Sequence, residues 1–346
     1  MTKPRILISN DDGITAPGLL ALAAALHCDG FATFSVSAPS GERSAQSHCI
    51  SVGKHLHAWQ LEVEGAEEAF AVDGTPADSV MIALYGPLLA NPTFQLVVSG
   101  INRGDNCGLH VIYSGTVGAA REAACKDVPS IAVSLDNYLA RTEEQYEAAA
   151  AYSLALMKAV LGVLPPPGRH LFGASHLAGH VVNVNVPKGG LADIRGLYLA
   201  HQGQHCHFPD FQARAGRTRG SELEADAHVR EGHAGAVTLR AFRNAAGSLR
   251  GDLSQGCDSW AVGQGWAAVT PICLRSDMPL TATAAAQREQ PQVLLAVASA
   301  MQAAAKHLGA QLERKLPVAA RRAARTPGCH RNAARPHKNT TGATSL

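Results

Sequence analysis

Two adjacent carboxylates, Asp11 and Asp12, follow the short apolar run from Arg5 to Ser9 and precede Gly13. Like charges side by side repel, and taking them out of water is costly unless something positive arrives. A hard divalent cation is the simplest such partner, because carboxylate oxygen suits magnesium, manganese or calcium. The residues also suit a plain polar loop in which Asp12-Gly13 makes a turn, so the pair by itself leaves both readings open.

Three further segments carry matching groups. Ser40 to His48 is a polar loop rich in hydroxyls and includes Ser44. Gly100 to Gly108 is a glycine-rich polar loop and includes Asn102. Ser114-Gly115-Thr116 opens a segment that reads plainly as a helix. Hydroxyls and free backbone N–H groups at a helix start, with no side chain on Gly115 in the way, are what an anionic phosphate needs. An ordinary Ser/Thr cap explains the same residues. Thr75, Pro76 and Asp78 are best read structurally, as a cap, a first helical position and a first-turn acid. His48, His55 and His57 lack ligand spacing and read as surface or hydrogen-bonded residues. His201, His205, Cys206 and His207 are zinc-type ligands, but their dense spacing has no second half, which favours a solvated loop.

For these groups to meet, the chain must bring their loops to one place. Arg5 to Ser9 reads as a buried strand. A cap-like Thr15, with Pro17 in the first turn, opens an apolar helix ending near Leu26. Phe34 to Ala38 is a second strand, closed by Pro39. Strand, helix, strand and loop open a doubly wound, mostly parallel α/β sheet. Weak alternation between residues 54 and 72 suggests a strand pair. Phe94 to Ser99, Ser130 to Ser134 and His180 to Val186 are further strands, and Glu143 to Val163 is an Ala-rich helix stopped by Pro165 to Pro167. In such a sheet the loops after successive parallel strands converge at the carboxyl edge. Asp11, Asp12, Ser44, Asn102 and the Ser114–Thr116 helix start can therefore meet. From about residue 196 short polar segments suggest a hairpin excursion or a strand-rich lobe, and Leu253 to Ile272 reads as a short helix, a Gly break and a strand.

The chain has 346 residues, 46% hydrophobic and only 5% aromatic, so its core should be α/β packing of small residues. The formal net charge of +2 conceals an asymmetry. From Thr281 onward there are ten Lys or Arg and two Asp or Glu, which leaves 20 basic and 26 acidic side chains in the body. An acidic body argues against a nucleic-acid surface there. The eight cysteines form no CxxC pair, which points to reduced thiols and a cytoplasmic protein. The first strand begins at residue 5, leaving no room for a leader ahead of it, and no apolar run suggests a membrane span.

The motifs resemble a known family. They are Ile8-Ser-Asn-Asp-Asp-Gly-Ile-Thr-Ala-Pro-Gly18, Ala38-Pro-Ser-Gly-Glu-Arg-Ser-Ala45, Gly74-Thr-Pro-Ala-Asp78, Val98-Ser-Gly-Ile-Asn-Arg-Gly-Asp-Asn106 and Tyr113-Ser-Gly-Thr-Val-Gly-Ala-Ala-Arg-Glu-Ala123. In this order they resemble the SurE family of metal-dependent 5′/3′-nucleotidases, densely over residues 4 to about 135. Weaker matches continue through Val182-Asn-Val-Asn-Val-Pro187 and Gln255-Gly-Cys-Asp-Ser-Trp-Ala261 to Val269-Thr-Pro-Ile272. The resemblance implies a Rossmann-like core, a protruding β-hairpin, a C-terminal segment exchanged between subunits, and a homodimer or homotetramer. It implies the metal ligands Asp11, Asp12, Ser44 and Asn102, and a phosphate-side loop at Ser114, Gly115 and Thr116. Cys257 stands where the family usually has Thr before the acidic residue that Asp258 matches. The expected organisation is residues 1–195 as the catalytic core, 196–290 as the hairpin and oligomerisation part returning to the core, and 291–346 as an Ala-rich helix and a basic tail. The family usually ends near residue 290, so the resemblance leaves that extension unexplained.

The expected activity is metal-dependent hydrolysis of nucleoside 5′- and 3′-monophosphates to nucleoside and inorganic phosphate. One divalent cation per subunit, Mg2+ or Mn2+, suits an all-oxygen donor set better than zinc does. It would polarise a phosphoryl oxygen and lower the pKa of a bound water. Asp11, Asp12 and Asn102 would carry catalysis, and Asn102, Ser114, Gly115 and Thr116 would orient the phosphate. Rival readings are a phosphoenzyme hydrolase with Asp11 as nucleophile, a phosphatase for polyphosphate or sugar phosphates, and a non-catalytic nucleotide-binding module. Membrane and nucleic-acid partners are not expected. Because the basic tail has too little apolar content to fold alone, deleting residues 317–346 should leave hydrolysis intact. Lost turnover in a still-assembled truncated protein would contradict an accessory tail.

Overall fold

The computed structural model describes residues 2–164, 177–213, 242–245, 247–274 and 284–315. Its strands are β1 (Arg5–Ser9), β2 (Thr33–Pro39), β3 (Ala58–Gln60), β4 (Ala69–Val72), β5 (Leu96–Arg103), β6 (Ser130–Asp136) and β7 (His180–Pro187). They continue as β8 (Leu197–Leu199), β9 (Cys206–His207), β10 (Asp210–Ala213), β11 (Phe242–Ala245), β12 (Leu249–Arg250) and β13 (Ala267–Cys273). Nine of these form one sheet in the order β3-β4-β2-β1-β5-β6-β7-β13-β8. Neighbours from β4 through β7 run parallel, whereas β3 on β4 and β13 on β7 are antiparallel. This is the doubly wound α/β arrangement expected, with the strand pair between residues 54 and 72 in place.

The alternation along the central strands shows why the sheet is covered on both sides. Ile6 and Ile8 enter one hydrophobic cluster and Leu7 another, and Leu96 and Val98 separate from Val97 in the same way. Successive side chains of a strand point to opposite faces, so each face has its own core. The first cluster takes residues of α1 (Pro17–Asp29) and of α5 (Glu147–Val160, after a 3-10 turn at Glu143–Tyr146). The second takes residues of α2 (Pro76–Tyr85) and α4 (Gly115–Ala124), the latter preceded by the short α3 (His110–Tyr113).

Two helix ends differ from expectation or refine it. Thr15 does not cap α1; the helix starts after Ala16 with Pro17 at its first turn and no side-chain cap. It runs past Leu26 to Asp29, because Gly30 takes the left-handed conformation, φ 66°, and its N–H returns to the Leu26 carbonyl. Helix α2 has the expected Thr75 cap, and Asp78 completes it as a capping box: Thr75 Oγ1 accepts from Asp78 N–H at 3.0 Å, and Asp78 Oδ2 accepts from Thr75 N–H at 2.9 Å.

After β8 the chain forms two short antiparallel ladders, β10 with β11 and β9 with β12, the paired stem of a hairpin excursion. It returns through α6 (Asp258–Gly263) and the antiparallel strand β13 to the main sheet. Contacts divide the chain into Met1–Leu308 and Gly309–Leu346; of the second unit, only the end of α7 (Ala284–Lys315) is described. The tail expected beyond Pro317 lies outside the described residues. By length and composition Gln292–Gln311 could cross a bilayer. However, Val293, Val297, Met301, Ala304 and Leu308 pack into the main core, as in the core helix of a globular protein. Cys28, Cys49, Cys107, Cys125, Cys206 and Cys257 are unbridged thiols.

Helix α1 lies almost directly on the strand that carries Asn102. A Cβ on Gly18 would sit 2.0 Å from the Ile101 carbonyl oxygen and 2.9 Å from a ring carbon of Tyr146. Gly18→Ala should therefore cost about 1–3 kcal/mol through overpacking, read as a lower urea midpoint at an unchanged m-value. A wild-type midpoint would mean that the helix can move away from β5 without loss.

Candidate active site

The end of β1 delivers Asp11 to the interior and Asp12 to a half-buried position beside it. The turn is closed by its own side chain. Asn10, fully buried, donates from Nδ2 to the Gly13 carbonyl at 2.8 Å and accepts from Gly13 N–H at 3.2 Å. Gly13 takes φ +103°, and a Cβ there would press on the Gly41 backbone at 3.2 Å. The turn reading and the charged-pair reading thus hold together: the turn is the device that presents the carboxylates.

Asp11 is 3% exposed and lies against the start of α4. The Thr116 hydroxyl donates to Asp11 Oδ1 at 2.5 Å. A Cβ on Gly115 would come within 2.8 Å of Asp11 Cβ, so only glycine allows the helix to begin this close. Burial pushes the Asp11 carboxyl up to about 7; the Thr116 hydrogen bonds pull against this, and the charge of Asp12 adds to it. Burial also raises Asp12, opposed by the Arg103 N–H that it accepts at 2.9 Å and assisted by the charge of Glu42. Among the described residues no positive group offsets the burial of Asp11. The carboxylate oxygens of Asp11 and Asp12 are the ligand type that fits a hard divalent cation.

The other loops are tied to this pair mainly through backbone groups. Arg43 N–H donates to the Asp11 carbonyl at 2.7 Å, which fixes the loop carrying Ser44. The Ser44 hydroxyl is exposed and donates to Glu42 Oε1 at 3.1 Å, and the other Glu42 oxygen pairs with Arg103 at 3.1 Å. Just beyond, Ala45 (φ 60°) and Ser47 (φ 54°) both hold left-handed backbone, at a cost of about 1–3 kcal/mol each. Asn102 lies where the β5–β6 register shifts, and its Nδ2 donates to the Gly104 carbonyl at 2.8 Å. Ser114 is a helix cap, its Oγ accepting from Val117 N–H at 3.0 Å. The structure therefore brings together Asp11, Asp12, Gly115 and Thr116, with Asn102 next to the Arg103 N–H that holds Asp12. Ser44 and Ser114 flank them with hydroxyls engaged elsewhere. Arg43 also borders an open cleft of about 560 Å³ lined by Gln46, Lys54, His55, Asp73 and Thr75.

The loop after β5 is held by groups that sequence reasoning passed over. Asn106 N–H donates to Asn185 Oδ1 at 2.7 Å, and its carbonyl accepts from Asn183 at 2.9 Å and Asn185 at 3.3 Å. Asp258, fully buried, accepts from Gly108 N–H at 2.9 Å and Gly203 N–H at 3.0 Å, joining this loop to the chain after β8. Cys257 caps α6, its sulfur accepting from Trp260 N–H at 3.4 Å. The only signals for these roles were two Asn at alternate positions of a strand and one acid at a helix start. A second group of donors also gathers here: Asp105, His110 and His205 each place a ligand atom within 4.8 Å of the others. This triad could hold a metal ion.

Comparison with known proteins agrees with this architecture. The family model described as survival protein SurE matches residues 6–208. Among curated relatives, the protein named 5′-nucleotidase SurE 1 of Thermus thermophilus is 36% identical over 272 residues, covering 78% of this chain and 92% of its own length. The protein named 5′-nucleotidase SurE of Chlorobaculum tepidum is 34% identical over 273 residues, covering 78% and 89%. The crystal structure of a SurE protein from Aquifex aeolicus superposes with a TM-score of 0.58 at 28% identity, covering 81% of this chain and 95% of that one.

The raised Asp11 value gives the metal-free protein a signed pH dependence. The folded state prefers the neutral acid, so the stability that this preference contributes is complete below the ordinary value of 3.8 and lost as pH rises through about 7. The loss at pH 8 is at most about 4 kcal/mol. Metal-free Asp11→Asn should therefore melt higher than the wild type at pH 8 and nearly alike at pH 4, and added Mn2+ should raise the melting point of the wild type alone. Parallel melting curves for the two proteins across this range would contradict the assignment.

Proposed function

The chain belongs to the SurE family, and from that premise we propose that it hydrolyses nucleoside 5′- and 3′-monophosphates to nucleoside and inorganic phosphate with the help of a divalent cation. The observation that carries the reading is the burial of Asp11 against the start of α4, with Asp12 beside it. Two carboxylates and a helix N-terminus at one spot suit a cation and a phosphate together, since each satisfies what the other leaves charged. The names of its curated relatives support the nucleotidase class.

In this reading Asp11, Asp12, Ser44 and Asn102 would hold one Mg2+ or Mn2+ per subunit. When bound, the cation draws charge from a phosphoryl oxygen and favours a hydroxide nucleophile at neutral pH. The residues of the chain do the rest. Thr116 keeps Asp11 in one rotamer, and the Arg103 N–H does the same for Asp12, so neither carboxylate must reorganise as charge develops. The helix start at Ser114, Gly115 and Thr116 would offer its dipole and the Gly115 N–H to the phosphate, and the missing side chain of Gly115 lets the Asp11 carboxylate sit against that start. Asn102 orients the phosphate from the facing loop. Ser44 would leave Glu42 to join the donor set, a rotamer change at an exposed side chain. The cleft beside Arg43 is of a size to take the nucleoside. We further assign residues 1–195 to the catalytic core and 196–290 to a part that assembles homodimers or homotetramers.

Phosphate release from a panel of nucleoside 5′- and 3′-monophosphates, with Mn2+, with Mg2+ and after chelation, tests the reading. The expected outcome is metal-dependent release that favours nucleotides over sugar phosphates and polyphosphate. Asp11→Asn should lower turnover about 100-fold or more at saturating metal, the scale of losing one preorganised charge-stabilising group. Full turnover by folded Asp11→Asn would remove Asp11 from the mechanism, and nucleotide binding without release from any substrate would make the protein a binding module.

A further inference from the structure

A second group of metal-type donors lies outside the Asp11 and Asp12 pair, and its arrangement is already ordered. One oxygen of Asp105, Oδ2, accepts from the Tyr138 hydroxyl at 2.8 Å, while Oδ1 faces His110 Nδ1 at 3.1 Å and accepts from Cys107 N–H at 2.9 Å. The other nitrogen of His110, Nε2, meets His207 Nδ1 at 2.8 Å, and these two rings are stacked 8° from parallel. The His205 ring stands edge-on to His110 with centroids 4.9 Å apart. The segment that brings His205 here is pinned by main-chain bonds: Leu109 N–H donates to the His205 carbonyl at 2.8 Å, and Gln202 donates to the Gly108 carbonyl at 2.8 Å.

We propose that Asp105, His110 and His205 form a second cation site that takes Zn2+ or a similar borderline ion through one carboxylate oxygen and two imidazole nitrogens. The donor atoms lie within 4.8 Å of one another, and tetrahedral donors around zinc lie about 3.3 Å apart. Closing that gap takes about an ångström of side-chain movement, chiefly by His205, which is only partly buried. Tyr138 and His207 hold the far atoms of Asp105 and His110, the hydrogen bonding that fixes ligand orientation at metal sites. Three protein ligands leave one position open to water or an exogenous ligand. Two nitrogens set this site apart from the all-oxygen Asp11 site, because imidazole suits zinc where carboxylate and amide oxygens suit magnesium and manganese. The ion would also staple the loop after β5 to the chain after β8. The inference does not depend on the nucleotidase reading.

The test uses the full-length protein, stripped with chelator, saturated with Mg2+ and titrated with Zn2+ against a colorimetric zinc indicator. Wild type and Asp11→Asn should each bind one equivalent of Zn2+ per chain. His110→Ala/His205→Ala should bind it at least about 10-fold more weakly, and the thermal stabilisation by Zn2+ should vanish with it. Co2+ in place of Zn2+ should give visible bands in the wild type that the double variant lacks. The partly exposed His205→Gln serves as a single change if the double variant fails to fold. Zinc binding unchanged in the histidine variants, or wild-type zinc binding that disappears with Asp11→Asn, would overturn the assignment.

Discussion

Burial of the Asp11 carboxylate against the first turn of α4 is the constraint on which the rest of the site depends. A charge taken out of water costs several kcal/mol unless something replaces its hydration. Here the replacement is local and partial: the Thr116 hydroxyl, the N-terminal end of a helix, and nothing cationic among the described residues. The close approach then dictates the small residues around it. Gly115 has no side chain because Asp11 occupies its place, and Gly13 has none because the loop after β2 crosses there. Asn10 spends its amide on closing the turn. Each of these residues makes sense only if the carboxylate must sit where it does.

Hydrophobic burial builds the two layers around the sheet, but it does not place the loops. Loops that meet at a sheet edge carry backbone groups out of solvent, and those groups must be paired. The pairing is what sets the relative positions of the functional residues. Arg43 N–H on the Asp11 carbonyl joins the loops after β1 and β2, and Arg103 N–H on Asp12 joins β1 to the end of β5. Asn183 and Asn185 support Asn106 from below, and Asp258 holds Gly108 and Gly203 from the side. Asn183 Nδ2, both ends of the Asn185 amide and the Asp258 carboxylate are committed to backbone partners, so they contribute rigidity where the chemistry requires it.

Much of this could be read from the chain because the sheet is written in its simplest terms. Ile6 to Ile8 is apolar without a break, as a central parallel strand must be, and the convergence of loops at its carboxyl end follows from topology alone. The motif-bearing residues Asp11, Asp12, Gly115 and Thr116 come together for that reason. What could not be read has a physical cause in each case. Ser114 as a cap and Thr116 as an Asp11 partner differ only in side-chain direction, which spacing does not encode. Glu42 stands among polar neighbours without any periodic signal, yet it reaches both Ser44 and Arg103. The histidines near residue 205 lacked a second half because it lies in a different loop: His207 meets a ring 97 positions earlier. The hydrogen bonds of Asp258, Leu109 and Gln202 bring those segments together.

The segment from Asn102 to Thr116 belongs to both groups of donors. It begins beside Asp12, passes through Asp105 and His110, and ends on Asp11, with only the single turn of α3 as regular structure between. The Ser114 N–H bonds to the His110 carbonyl, so the cap of α4 and the imidazole at the start of α3 share one turn of backbone. A shift of the His110 backbone would therefore be felt at Ser114, which in turn sets where Gly115 and Thr116 meet the carboxylate. Coupling of this kind needs no long pathway, since a single bonded turn has few arrangements that keep all of its buried groups satisfied. The ties from Asn106 and Asp258 restrict those arrangements further by holding the middle of the segment. These bonds fix the segment at both ends and in the middle, so one stretch of backbone holds both donor groups in place.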